Sequence, residues 1–326
     1  MQIHPMWNDF PSLKEDLPKV IQLIDQHIKI RDTKIRSTLK EVVHAGGKLL
    51  RPAYSLLCHE IGPEKNKEKA IAIAAALETL HMATLIHDDV IDDAATRRGQ
   101  ATLQKLHDNK FAIYAGDYLF SMSFTILSKY SNSLSHLEYN SRSMEKILIG
   151  ELNQLHSRFQ SPNSVKSYLS RISGKTAQLF AVSCYTGAVE SKATRRQARN
   201  AWNMGHYIGM AFQIIDDILD YQGDKETIGK PVMADVQQGV YTLPLIYAMQ
   251  GSRPLLEPIL AKDRPFNDDD LAIISKAIAE QNGIEKASKL AELYINKALK
   301  ELSKLPDGDY KETLYDLTNQ MLKRTT

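Results

Sequence analysis

Two stretches of this 326-residue chain gather carboxylates at one spacing. Leu85-Ile86-His87-Asp88-Asp89-Val90-Ile91-Asp92-Asp93 and Gln213-Ile214-Ile215-Asp216-Asp217-Ile218-Leu219-Asp220 each contain D-D-x-x-D, and each closes an apolar helical segment. Residues four apart on a helix are neighbours, so Asp88 stands over Asp92 and Asp216 over Asp220. Like charges so placed repel, whereas a hard divalent cation turns the repulsion into a binding site. Mg²⁺ in particular is held by a few carboxylates together with substrate phosphates. A solvated acidic helix end is the plain alternative; two matches, both inside long apolar helices, favour the metal.

Basic residues stand where counterparts to a metal-bound phosphate are needed. Gly46-Gly47-Lys48-Leu49-Leu50-Arg51-Pro52 carries two cations beside a glycine pair, and Arg97-Arg98-Gly99 follows the first cluster. Such groups hold phosphate by charge and fork geometry. His81 lies two helical turns before Asp88 on the same face, within reach of a diphosphate near a metal. Gly174-Lys175-Thr176 hints at a nucleotide P-loop, but Leu169 stands where the first glycine is required, and no strand precedes it. Lys175 is left as either a surface lysine or a cation facing the metal.

The elements that must carry these groups read as helix after helix. Apolar positions recur at three and four residues over Leu17 to Ala45, Pro52 to Ile61, Glu64 to Asp88, Tyr114 to Lys129, Arg142 to Phe159, Ser164 to Gly187 and Thr194 to Tyr221. The pattern continues over Leu243 to Met249, Asn267 to Gln281, Ile284 to Leu305 and Lys311 to Lys323. No sustained two-residue alternation supports a sheet, and no linker divides the chain, so residues 1–326 are expected to form one all-α domain. The irregular stretch Gly223 to Gly239 is a candidate lid.

Composition narrows the function classes. With 43% hydrophobic and 25% charged residues and a net charge of +2, the chain has material for a large core and no bulk charge for nucleic acid. Cys58 and Cys184 have no metal-ligand spacing, which suits a reduced, cytoplasmic protein. Met1 to Pro11 lacks the basic and apolar regions of a signal peptide. The apolar run Ala70 to Ile86 contains Glu78 and His81, so it reads as a buried helix and not a membrane span.

Together these motifs resemble the all-trans isoprenyl diphosphate synthases over nearly the whole chain. Within that family the likeness is greatest to the large catalytic components of two-component heptaprenyl or hexaprenyl diphosphate synthases of Gram-positive bacteria. Gly116-Asp117, Gly150-Glu151 with Gln154, and Gly229-Lys230-Pro231 match lesser family motifs. The resemblance implies the isoprenoid synthase fold, a bundle of antiparallel helices around a central cavity. It also implies three Mg²⁺ on an allylic diphosphate, held by Asp88, Asp89, Asp92, Asp216 and Asp220 and assisted by Arg97, Lys175 and Lys230. Isopentenyl diphosphate would sit on Lys48, Arg51, His81 and Arg98, and Thr176 and Gln213 would stabilise the allylic cation. Farnesyl diphosphate is the implied primer, a quinone side chain such as that of menaquinone the implied use, and a homodimer or a heteromer with a small regulatory subunit the implied assembly.

Two departures from the family pattern matter. Leu49 stands where a second basic residue is common, and Val240 stands where many lids carry lysine. Short-chain members place an aromatic residue five positions before the first motif; here Ala83 and Thr84 occupy that turn, about 6 to 8 Å along the helix from Asp88, which leaves room for a medium or long product, about C30 to C35 by the resemblance. A shorter-chain synthase, and a subunit inactive without its small partner, are the alternatives.

Overall fold

The structure is a computed structural model and describes residues 3–131, 133–161, 164–222, 233–262 and 265–322. The chain forms two compact units, one of residues 1–141, 182–202 and 304–314, the other of 142–181, 203–303 and 315–326. Both are helical, as the periodicity predicts.

In the first unit a short 3₁₀ turn (Pro5–Asp9) leads into α1 (Pro11–His27), α2 (Thr33–His44), α3 (Leu50–His59) and α4 (Lys67–Ile91). The expected single helix over Leu17 to Ala45 is broken. Asp32 caps a new start by accepting from the Lys34 and Ile35 amides at 2.9 and 3.0 Å. The apolar period runs through this break, which hides it from a pattern reading. Helix α4 starts at Asn66, whose side chain accepts from the Lys69 amide, and from Ala70 to Leu80 it is buried on every side. Helices α1, α3 and α6 (Asn109–Tyr130) pack around it. Among the described residues α4 is the one helix long and apolar enough to cross a membrane, and 78% of that window is buried in protein, as a core helix requires.

After α4 the chain makes a small hairpin, β1 (Thr96–Arg97) and β2 (Gln100–Ala101), paired antiparallel. Arg98 and Gly99 link them with φ of 53° and 75°. Positive φ at both central residues is the signature of the type I′ turn that suits a two-residue loop. Strands this short leave no alternation to read, and the chain stays in the all-α class expected from its sequence. A single turn, α5 (Leu103–Leu106), precedes α6.

Helix α7 (Leu134–Ser157) begins in the first unit and continues into the second. The second unit also holds α8 (Val165–Ile172) and a π turn (Ser173–Ala177) that leads into α9 (Gln178–Glu190). The expected continuous helix from Ser164 to Gly187 therefore carries a wider turn at Gly174-Lys175-Thr176. Such turns concentrate at functional sites. Next come α10 (Arg195–Gln222), α11 (Ala234–Gln237), α12 (Leu243–Leu260, kinked at Ser252), α13 (Asp268–Glu280), α14 (Gly283–Ser303) and α15 (Asp309–Leu322). Helix α12 packs on α8, α13 and α14. Of the expected lid, residues 223–232, including Gly229, Lys230 and Pro231, lie outside the described residues.

Candidate active site

In the first unit three separate segments bring their basic groups to one place. Arg51 on α3 donates through Nη1 to His81 Nε2 on α4 at 3.0 Å. Arginine can only donate, so this nitrogen of His81 accepts and the ring's other nitrogen carries its proton. Burial, then the Arg51, Arg98 and Arg97 charges, hold the imidazole well below the usual histidine range. His81 is thus a neutral ring near pH 7. The turn geometry of the hairpin sends Arg98 back to Gly47, where an added Cβ would lie 2.6 Å from a guanidinium nitrogen. Any side chain at position 47 would displace Arg98.

The loop before α3 is pinned by Trp7, fully buried, whose indole N–H donates to the Lys48 carbonyl at 3.0 Å. Beneath the cations lies Glu78, 4% exposed, pushed up by burial and pulled down by Arg51 and Arg98. The sequence reading missed Glu78 as a site residue, although a glutamate one turn before His81 on an apolar helix was the available signal. A cavity of about 340 Å³, within the range of small-molecule pockets, is lined by Gly46, Leu49, Glu78, Asp89, Arg97 and Arg98 with apolar neighbours.

The first aspartate cluster divides by helix face. Asp88 and Asp92 are half-buried and share one face. Asp89 is buried, and its Oδ1 accepts from Arg97 Nε at 2.7 Å. Burial raises its pKa and Arg97 opposes the rise. Asp89, expected among the metal ligands, and Arg97, expected on the diphosphate, are thus engaged with each other. Ala83 is fully buried, whereas Thr84 is partly exposed and folds its hydroxyl onto the His81 carbonyl at 2.8 Å. His87 is a further residue the sequence reading passed over. Its ring fills the space a Cβ on Gly116 would take, 2.3 Å away, and its Nε2 lies 3.2 Å from Asp117. This gives the Gly116-Asp117 pair a steric reason.

In the second unit α7 and the π turn meet backbone to backbone. A Cβ on Gly150 would lie 2.9 Å from the Lys175 amide nitrogen, and one on Gly174 3.3 Å from Gly150 Cα. This approach brings Lys175 Nζ to 2.9 Å from Glu151. Thr176 donates its hydroxyl to Gln213 Oε1 at 2.5 Å, tying the turn to α10. On α10 Asp216 is exposed, Asp220 half-buried and Asp217 buried. Asp217 accepts from Tyr168 at 2.6 Å and from Gln213 Nε2 at 2.7 Å. Burial pushes its carboxyl up to about 7 against both hydrogen bonds. Asp220 accepts from the amides of Ala234 and Asp235 at 3.1 and 3.3 Å. Asp235, which the sequence reading left out of the site, is pushed well above the carboxylate range by burial and by Asp220, Asp217 and Asp216, with Lys175 acting the other way.

These donors fit Mg²⁺. They are all carboxylate oxygens, those of the second unit raise the buried Asp217 and Asp235 beside them, and the outer pairs sit at i and i+4. Among the described residues no three potential ligands already converge.

Comparison with known proteins shows the family of this chain. Residues 32–278 match the polyprenyl synthetase family. Component 2 of heptaprenyl diphosphate synthase from Geobacillus stearothermophilus is 36% identical over 97% of this chain and 98% of its own. The Bacillus subtilis component 2 is 34% identical over 97% and 90%. Among solved structures, geranylgeranyl pyrophosphate synthase from Lactobacillus brevis superposes with a TM-score of 0.92 at 35% identity, covering 98% of this chain and 99% of that one. Heptaprenyl diphosphate synthase from Staphylococcus aureus gives 0.90 at 34%, covering 96% and 99%. With the isoprenoid synthase fold and the family match both in hand, the chain belongs to the polyprenyl synthetase family and is a trans-prenyltransferase, a polyprenyl diphosphate synthase.

Proposed function

We propose that this polyprenyl diphosphate synthase extends an allylic primer, farnesyl diphosphate, with isopentenyl diphosphate to a hexaprenyl or heptaprenyl product (about C30 to C35), the small Ala83–Thr84 turn leaving room for the tail. The observation that carries the reading is the gathering of Arg51, His81 and Arg98 over buried Glu78, on the same helix that presents Asp88 and Asp92. Heptaprenyl synthases among the relatives support the length.

In the first unit, Lys48, Arg51, Arg98 and the remaining N–H of His81 bind the isopentenyl diphosphate. A neutral His81 can donate to that anion without adding charge. Asp88 and Asp92 are the metal ligands, and Asp89 holds Arg97 in place. In the second unit, Asp216 and Asp220 are the metal ligands, and Lys175, steadied by Glu151, faces the departing diphosphate; Lys230 is assigned to the same anion. Bound Mg²⁺, three per site by family likeness, supplies positive charge to a leaving diphosphate.

The allylic C–O bond breaks with its electron pair leaving on the diphosphate. Thr176 and Gln213 direct oxygen dipoles at the resulting cation. The isopentenyl double bond supplies the electrons of the new C–C bond, and the released diphosphate takes the proton lost from the adjacent carbon. Apolar walls exclude the water that would otherwise quench the cation to an alcohol.

The whole chain acts as one catalytic domain in the cytoplasm and serves quinone side-chain synthesis as in menaquinone. "Component 2" in the relatives' names supports a small regulatory partner, and a homodimer is the second assembly. Mass-spectrometric product analysis of the purified chain with Mg²⁺, isopentenyl diphosphate and farnesyl diphosphate tests the reading. An ordered series ending near C30 to C35, abolished by chelator, is expected. No product, with or without an added small subunit, would refute it.

A further inference from the structure

Tyr168 is among the largest fully buried side chains, and no catalytic step assigned above uses it. Its ring lies 5.5 Å from the Arg171 guanidinium, which is itself fixed by a 2.7 Å hydrogen bond to the Tyr241 carbonyl. From this fixed position a chain of short hydrogen bonds runs to the π turn. The Tyr168 hydroxyl donates to Asp217 Oδ2 at 2.6 Å, Gln213 Nε2 donates to Asp217 Oδ1 at 2.7 Å, and Thr176 Oγ1 donates to Gln213 Oε1 at 2.5 Å.

The direction of each bond is set by the one before it. In this geometry both oxygens of Asp217 accept, one from Tyr168 and the other from the NH₂ group of Gln213. A flipped amide would set a carbonyl oxygen against a carboxylate oxygen at the same distance. With Nε2 committed, Oε1 is left for Thr176, and a carbonyl can only accept. The single hydroxyl hydrogen of Thr176 is therefore spent on Gln213, and what Thr176 offers to any other group is lone pairs. Against a carbocation that is the favourable dipole; an outward-pointing hydroxyl hydrogen is the unfavourable one.

We propose that Tyr168 is a positioning residue for prenyl transfer. Acting through Asp217 it fixes the amide of Gln213, so that Thr176 presents acceptor lone pairs to the cationic carbon. Thr176 and Gln213 touch the reacting atoms, and Tyr168 acts only through them. The inference rests on the proposed role of those two residues at the cation.

Tyr168→Phe removes one hydroxyl and keeps the ring, so the variant is expected to fold; its melting curve and circular dichroism verify that. With isopentenyl and farnesyl diphosphates, kcat is expected to fall about tenfold with both KM values within about twofold, because the lost interaction is made to the transition state. The share of primer lost to farnesol is expected to rise. In a Gln213→Leu background the same change should lower kcat by less than about twofold, since the relay is already cut. An unchanged kcat, or an equal loss in both backgrounds, would overturn the inference and leave Tyr168 a core residue. A wild-type chain that forms no prenyl product with or without an added small subunit would remove the proposed function and this inference together, whereas a productive wild type with a Tyr168-independent kcat removes the inference alone.

Discussion

The first and second aspartate clusters carry the same D-D-x-x-D spacing at the ends of apolar helices, yet the balance of charge around them differs. Around the first stand Arg51, Arg97 and Arg98, with a histidine held neutral. Around the second stand Asp235, a tyrosine and a glutamine, and burial and neighbouring carboxylates raise Asp217 and Asp235 against the weaker pull of Arg171 and Lys175. In both, the middle aspartate is the buried one, 7% exposed at Asp89 and 4% at Asp217. A guanidinium satisfies the first, a phenol and an amide the second. The middle residue therefore anchors local structure in each unit, and the metal role proposed above falls to the outer pair at i and i+4. The basic surroundings of the first cluster suit an anionic substrate, and the more acidic surroundings of the second, with Lys175 the cation beside them, suit a metal bridging to an anion.

The comparison breaks most sharply at the outer residues. Asp88→Ala and Asp216→Ala should each lower kcat about a thousandfold, roughly 4 kcal/mol, by initial rates at saturating Mg²⁺. A loss under tenfold would return that cluster to a solvated helix end.

A scaffold site away from both clusters supplies the control. Glu190, fully buried, accepts from Ser131 and pairs with Lys69 at 2.8 Å and His136 at 2.8 Å. Although burial opposes it, these partners hold its carboxyl down to about 2. A carboxylate with a depressed folded pKa adds stability above its unfolded pKa of 4.5. That stability is lost as pH falls from there through about 2. Glu190→Gln should cost about 3 kcal/mol at pH 7 by urea unfolding and flatten the acid limb over that window. Removing an outer aspartate should leave that limb in place.

At the middle position, Asp89→Asn keeps the size and loses the charge that holds Arg97. We expect kcat/KM to fall about tenfold with the Mg²⁺ dependence of the rate unmoved. The smallest effect concerns product length. Thr84→Phe should shorten the product by steady-state mass spectrometry with little change in the first condensation. Ala83→Phe is the poorer probe, because a phenylalanine at a fully buried alanine overpacks the helix by about 1 to 3 kcal/mol. An unchanged product from a folded Thr84→Phe would remove this face of α4 from chain-length control.

What was legible in the sequence was what depends on local spacing. The helical class, both aspartate pairs and the cations of Gly46 to Pro52 and Arg97-Arg98 follow from residue type at fixed intervals. The break at Asp32 was hidden because an N-cap can interrupt a helix without interrupting its apolar period. The π turn and the type I′ hairpin were hidden because each occupies too few residues to set a period. Glu78, Asp235 and Tyr168 act through partners distant in sequence, and Asp89 and Asp217 look like their neighbours until burial separates them. Only the folded chain decides which carboxylate of a pair of adjacent aspartates turns inward.

The claim that the middle aspartates anchor and the outer ones bind is tested most directly by calorimetric titration of Mg²⁺ into wild type, Asp88→Asn and Asp89→Asn, each with saturating inorganic pyrophosphate. The account predicts an Asp89→Asn affinity for Mg²⁺ within about threefold of wild type and an Asp88→Asn affinity lower by at least about thirtyfold. Equal losses in the two variants would contradict it and return Asp89 to the metal.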